Sequence, residues 1–350
     1  MRLSHIRRAA LAAATAGLLL AVAACGGNDD PAASSAEASG GPAAAYPVSI
    51  ADKYGTATIK AEPKRIVVVG LVEQDALLSL GVVPVATTEW FGEKPGAIWP
   101  WAEAALGGNP KPQVLTNTDG IQVEKVAALR PDLIVGLYSG LTKEEYDTLS
   151  KLAPVLAQPK NQVDYGVSWQ EVTTTVGTAV GKKAQAEKVV ADTEAKIAAV
   201  KAANPKFAGA TGLMATTYEG YYVYGPDDPR GRFLTDLGFK LPDGLAAVTG
   251  KEFGANLSKE RTDLLDTDVL VWLVDTYAAD KAKVQADPLY AKLKVKTEGR
   301  DIFLENSELV GAATSFITPL SLPYLLDKLT PLLRAAVDGD PATAVNRPTA

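Results

Sequence analysis

Between residues 182 and 203 the apolar pattern recurs at Ala186, Val189, Val190, Thr193, Ile197 and Val200, the i, i+3, i+4, i+7 spacing of one helix face. Ala, Lys, Glu and Gln fill the other positions and favour helix. Gly181 precedes the stretch, and Asn204-Pro205 ends it, because proline disfavours the helical conformation in the residue before it. At about 1.5 Å per residue such a helix spans roughly 33 Å, the width of a small domain. Two readings are open: an amphipathic core helix of one domain, or a stiff connector between two lobes.

The flanking sequence supports the connector. Glu124, Leu129, Asp132, Ile134 and Val135 align in spacing with Glu260, Leu265, Asp268, Leu270 and Val271. Each copy reads as a short helix, an Asp-containing turn and an apolar run suited to a strand buried on both faces. A small hairpin is predicted at residues 46–59, turning at Lys53-Tyr54-Gly55. Strands follow at 66–69, 81–85, 133–136 and 154–156, with helices at 73–80, 143–152 and 167–180. Beyond the long helix, strands are expected at 211–216, 269–274 and 301–304, and helices at 231–237, 258–265, 288–293 and 319–337. This alternation predicts an α/β fold: two Rossmann-like lobes with mainly parallel central sheets, joined by one rigid helix, with a ligand cleft between them. The lobes are expected at 46–180 and 206–337, the connector at 181–205 and a frayed tail at 338–350.

Residues 1–25 read as a targeting segment. Arg2, Arg7 and Arg8 open it, and an apolar stretch too short and small-residue-rich for a good membrane span leads to Val22-Ala23-Ala24-Cys25, followed by Gly26-Gly27. The pattern resembles a bacterial lipobox, in which Cys25 would be lipidated and become the new N-terminus; a plain secretory signal is the rival reading. Residues 26–45 are rich in Gly, Ala, Ser, Asn and Asp without periodicity, and are expected to be a flexible tether. Charged residues at 22% and hydrophobic ones at 47% argue against a multi-span membrane protein. Removing three Arg from 35 basic residues leaves 32 against 41 acidic ones, a net of −9 that disfavours nucleic acid. His5, the single histidine, lies in the segment to be removed, and Cys25 is the single cysteine. The mature chain therefore lacks the means for His-dependent triads, Cys nucleophiles, and zinc or haem held by His or Cys. No phosphate-binding Gly loop, dinucleotide fingerprint or Gly-x-Ser-x-Gly motif is present.

The phrases Pro63-Lys64-Arg65-Ile66-Val67, Ala127-Ala128-Leu129-Arg130-Pro131-Asp132-Leu133-Ile134, Gly231-Arg232-Phe233-Leu234-Thr235-Asp236-Leu237-Gly238 and Pro288-Leu289-Tyr290 resemble the substrate-binding lipoproteins of iron–siderophore ABC importers, a group that also includes haem and cobalamin binders. The resemblance runs from about residue 46 to 337, with the binding domain proper at about 64–337. It implies a non-enzymatic, monomeric receptor tethered to the outer face of the cytoplasmic membrane. Such a receptor would hold a ferric siderophore between two lobes and deliver it to a permease, with iron held by the siderophore and no cofactor or metal of the protein's own. Haem or cobalamin is the alternative ligand; a secreted enzyme and a structural envelope lipoprotein are the alternative classes. In the family one surface carboxylate on each lobe docks onto permease arginines, and Glu124 and Glu260 match by motif.

Ligands of open α/β sheets lie beyond the carboxyl ends of the strands. Residues just after predicted strands are therefore the ligand candidates: Trp90, Phe91, Trp99 and Trp101; Tyr138 and Tyr165; Tyr218 and Tyr222; Arg230 and Arg232; and Tyr277. Aromatic faces would bury the apolar parts of a siderophore, and Tyr hydroxyls and Arg forks would meet the oxygens around iron. The Arg pair would favour an anionic catecholate, unless Asp227 and Asp228 neutralise it. Of the tandem Tyr221-Tyr222, one ring is expected to face the core, because neighbours on a strand point to opposite sides.

Overall fold

The computed structural model describes residues 46–118 and 120–348. The expected lipidation site Cys25, the expected targeting segment and the tether expected at 26–45 lie outside them. Among the described residues no helix is long and apolar enough to cross a membrane.

The chain enters through an antiparallel hairpin, β1 (Val48–Ala51) and β2 (Thr56–Ile59). The N-terminal lobe then runs β3 (Ile66–Val68), α1 (Glu73–Ser79), β4 (Ala86–Thr88), α2 (Pro100–Glu103), β5 (Gln113–Leu115), α3 (Val123–Ala128), β6 (Leu133–Gly136), α4 (Lys143–Leu149), β7 (Val155–Ala157) and α5 (Trp169–Ala179). Its five strands lie in the order β5-β4-β3-β6-β7, all parallel. Alternation puts Ile66, Val68, Leu133 and Val135 on one face, packed against α1 and α5. Val67, Ile134 and Val155 face the other way, against α3 and α4. Each fully buried aliphatic side chain contributes roughly 1.5–3 kcal/mol. The strand expected at 81–85 lies further on, at β4. Gly81 and Val82 donate back to Leu78 and Leu77 to close α1, and Pro84 has no N–H to pair.

After α6 (Lys183–Ala203) the C-terminal lobe runs β8 (Gly212–Thr216), β9 (Tyr221–Tyr224), α7 (Pro229–Asp236), α8 (Leu245–Thr249), β10 (Gly254–Leu257), β11 (Val269–Val274), α9 (Tyr277–Ala286), α10 (Lys294–Thr297), β12 (Asp301–Glu305), α11 (Leu309–Ser315) and α12 (Ser321–Val337). The spatial order β10-β9-β8-β11-β12 repeats that of the first lobe. Its directions do not: β8, β11 and β12 are parallel, β9 turns back antiparallel to β8, and β10, antiparallel to β9, returns to the direction of β8. The segment expected as a helix at 258–265 is a 3₁₀ turn at Lys259–Leu265, broken at Arg261.

α6 is unbroken over 21 residues. Its apolar stripe is shared. Ala186 and Val189 pack into the N-terminal core, while Val190, Ile197 and Val200 pack into the C-terminal core. One face thus belongs to two cores in succession, which is the connector reading. The outward face carries i,i+4 pairs, Lys183–Glu187 and Lys188–Asp192, each worth about 0.3–0.5 kcal/mol.

The repeat also holds at the level of side chains. Asp132 accepts from the backbone N–H groups of Lys64 and Arg65, at 2.8 Å each, ahead of β3. Asp268 accepts from the N–H of Thr211 at 2.8 Å, ahead of β8. In both lobes the aspartate before the fourth sheet strand fixes the entry of the first.

Candidate functional site

The loops at the C-terminal edge of the parallel N-terminal sheet form one wall of an open cavity of about 740 Å³. Leu71 follows β3, residues 89–93 follow β4, residues 116–118 follow β5 and Tyr138 follows β6. Tyr165 comes from the loop before α5. The facing wall is Tyr224 at the end of β9, Asp228 and Arg230 at the start of α7, and Phe253 before β10.

Aromatic contacts form a closed belt around this space. Trp90 and Tyr138 have ring centroids 6.1 Å apart, Tyr138 and Tyr165 5.8 Å, and Tyr165 and Phe253 6.0 Å, the last pair crossing between lobes. Tyr222 continues to Phe253 at 6.1 Å and to Tyr224 at 5.5 Å. The Arg230 guanidinium, 4.2 Å from the Tyr224 centroid and 5.9 Å from that of Trp90, closes the circuit. Tyr165 has φ +58°, a left-handed conformation that costs an aromatic residue about 1–3 kcal/mol and that aims its ring between Tyr138 and Phe253.

Beneath the belt, Glu73 ties two of these loops together. Its carboxylate accepts from the N–H of Tyr138 at 2.7 Å and of Val72 at 3.1 Å. Burial pushes its carboxyl up to about 7, with those donors pulling the other way. Gly70 leaves the room it occupies, since a Cβ there would overlap the carboxylate.

Asp228 caps α7 and accepts from the Arg230 N–H at 2.8 Å and from Nη1 with both oxygens, at 3.0 and 3.1 Å. Nη2 donates to Ser315 at 2.9 Å, and Nε is buried without a partner. Burial works against the Arg230 cation, and the Asp228 carboxylate overrides it, so the guanidinium is held charged above its ordinary value. Burial also raises the Tyr138 and Tyr224 hydroxyls and pushes Tyr222 up to about 12. These phenols are neutral near pH 7 and meet a ligand as hydrogen-bonding groups.

Of the residues expected at the ligand, Trp90, Phe91, Tyr138, Tyr165 and Arg230 line the cavity. Six do not. Trp99, 1% exposed, and Trp101 lie behind Phe91, their rings stacked at 5.1 Å. With Trp90 and Phe91 they enclose Phe316 of the C-terminal lobe, at centroid distances of 5.2–5.9 Å. Trp101 Nε1 donates to Asp75 at 2.9 Å, and Asp75 also accepts from Thr318 Oγ1 at 2.7 Å across the lobe boundary. The tryptophan cluster therefore fastens the lobes together. Burial pushes the Asp75 carboxyl up to about 6.

Tyr222 stacks in the belt behind Tyr224 and Phe253. Arg232 donates to the Gly166 carbonyl at 2.7 Å, another bond between lobes. Tyr218, 63% exposed, sits in the β8–β9 turn, and Tyr277 opens α9 under the Arg347 guanidinium. Both lie at the C-terminal ends of β8 and β11. Because β9 runs backwards, it carries the chain away from the C-terminal end of β8, past Val223 beside Ala215, before Tyr224 and Arg230. Tyr221 turns into the core against Trp272, as alternation requires. Tyr224, Phe253, Leu71 and the carboxylates Glu89 and Glu93 join the lining without having been ligand candidates, and Asp228, foreseen only as a neutraliser of the Arg pair, lines it too. Tyr224 was reachable by alternation from Tyr222; Phe253 stands alone in a Gly- and Lys-containing loop and carries no signal. Among the described residues no three His, Cys, Asp or Glu side chains group closely enough to hold a metal ion.

Residues 66–306 match the family described as Periplasmic binding protein. The chain is 30% identical over 233 residues to the probable siderophore-binding lipoprotein YfiY of Bacillus subtilis (strain 168), covering 64% of this chain and 67% of that one. Its fold matches that of a periplasmic solute binding protein from Mycobacterium smegmatis str. MC2 155, with a TM-score of 0.72 and 34% identity over 83% of this chain and 98% of that one. It also matches PiaA of Streptococcus pneumoniae TIGR4 in complex with ferrichrome, with a TM-score of 0.73 and 26% identity over 83% and 99% of the two chains.

Proposed function

Because the chain belongs to the Periplasmic binding protein family, we propose that it is an exported receptor that captures a ferric siderophore between its lobes and delivers it to an ABC permease. The observation that carries this reading is the aromatic belt around a cavity of about 740 Å³, a volume suited to a small-molecule ligand. The likeness to proteins named for siderophore binding supports it. The family's members are binding proteins, and the cavity walls supply apolar faces, hydroxyls, the carboxylates Glu89 and Glu93 and one guanidinium neutralised by Asp228, a set suited to holding a ligand. Haem fits less well, since the mature chain has no histidine and the belt phenols are held protonated. Lipidation at Cys25, within Val22-Ala23-Ala24-Cys25, would tether the receptor to the outer face of the membrane.

Delivery needs a docking surface, and Glu124 and Glu260 supply its charges in this reading. Each is exposed and stands second in the helical segment that feeds the fourth strand of its sheet, α3 before β6 and the 3₁₀ turn before β11. Hydrogen bonds from its own N–H and from Ser258 hold the Glu260 carboxyl below the ordinary range. Paired charges at equivalent positions register a basic partner. Replacing both by Ala is expected to lower cellular siderophore uptake at least about tenfold, while affinity measured by tryptophan quenching stays within about twofold of wild type. A parallel loss of affinity would move the pair from the docking surface to the fold. An absence of quenching by every ferric siderophore tried would remove the ligand assignment.

A further inference from the structure

The charges of the cleft bear on which ferric chelates it accepts, an inference that rests on the siderophore reading. Among the described lining residues three carboxylates, Glu89, Glu93 and Asp228, face a single cation, Arg230. That cation is largely engaged: Asp228 takes Nη1 in two contacts, Ser315 takes Nη2, and the Tyr224 ring covers its face, leaving Nε as its one donor without a partner. The neighbouring cations are also held elsewhere. Arg232 is bonded to the Gly166 carbonyl, and the Lys94 ammonium lies 4.7 Å over the ring of the buried Trp99. Glu89 Oε1 is buried without a hydrogen-bond partner, and Glu93 is exposed at the rim. The other described lining residues, aromatic rings, threonines, Leu71, Gly92 and Asn117, are uncharged. Among the described lining residues a ligand entering this space meets two carboxylates without an ion-pair partner, and the one cation is already paired with Asp228.

Iron(III) chelates divide sharply by charge. Three singly charged hydroxamates balance the metal and leave a neutral complex, and a pendant amine makes it cationic. Three doubly charged catecholates leave an excess of three negative charges. Desolvating such an anion beside Glu89 and Glu93 is repulsive, whereas a neutral complex meets no such repulsion and a cationic one is attracted. We infer that the cleft is selective for ferric trishydroxamates of zero or positive net charge, and that Glu89 and Glu93 reject the anionic catecholate and carboxylate chelates. The guanidinium of Arg230 is a wall of the pocket, not an anion clamp.

The test is calorimetric titration of the full chain and of an E89Q/E93Q variant with three probes: neutral ferrichrome, cationic ferrioxamine B and anionic ferric enterobactin. Wild-type protein is expected to bind both hydroxamates at least about a hundredfold more tightly than ferric enterobactin. In the variant the gap between ferrioxamine B and ferric enterobactin is expected to close by about tenfold or more, with ferrichrome changed least. Equal or tighter binding of ferric enterobactin by wild type, or an unchanged gap in the variant, overturns the charge inference and leaves the siderophore reading standing. Binding of none of the three removes both.

Discussion

Phe316→Ala is expected to cost the fold about 3–5 kcal/mol and to weaken ligand binding at the same time. Phe316 is 2% exposed and enters from the turn between α11 and α12 into a box made by Trp90, Phe91, Trp99 and Trp101 of the other lobe. Removing the ring leaves a cavity at a site whose walls belong to different lobes, so collapse of the cavity means relative movement of the lobes. Two of those walls, Trp90 and Phe91, also line the cleft. Their displacement lowers the fraction of molecules with a competent site, and affinity falls by the same factor. Urea unfolding followed by near-ultraviolet dichroism gives the stability change, and titration on the same samples gives the affinity. Phe316→Leu should lie between wild type and Ala. A loss below about 1 kcal/mol in the Ala variant would mean that the box is not a structural junction.

Arg230→Ala is the second large effect, again about 3–5 kcal/mol, because it leaves the Asp228 carboxylate buried without its partner. Asp228 is 1% exposed and Arg230 5%. If neutralisation is the role of the pair, D228N/R230M should recover most of the loss, since a buried pair exchanged for uncharged groups of similar volume is close to neutral in stability. Denaturant midpoints of the two variants decide the matter. A double variant as unstable as R230A would show that the shape of the guanidinium, stacked on Tyr224, matters more than its charge.

The long helix was legible because its stripe keeps helical period across both cores, and the buried strands at Ile66, Leu133 and Val269 because they are apolar on both faces. β4 and β5, three residues each, are too short to show a period. The reversal of β9 was hidden for a different reason. Tyr221 and Tyr222 read as neighbours on a strand, but nothing local states that this strand runs backwards beside β8. That reversal is why Tyr218 and Tyr277 fall away from the cleft and Tyr224 falls into it. The tryptophans illustrate a further limit. Their density marks a place where large apolar surface is buried, but whether a ligand or Phe316 fills it depends on a residue far away in the chain. The neutralising role of Asp228, by contrast, was visible as an open alternative, because it stands two residues from Arg230.

The claim on which the rest depends is that one ligand is gripped between two lobes whose relative position is fixed by α6 and by the Phe316 and Asp75–Thr318 junction. Crystal structures of the protein free and loaded with ferrichrome test it directly. The account predicts the iron complex inside the belt formed by Trp90, Tyr138, Tyr165, Phe253 and Tyr224, with α6 unbroken and the Asp75–Thr318 hydrogen bond present in both states. A chelate bound outside that belt, or lobes swung apart in the free protein with Phe316 withdrawn from its box, would contradict it.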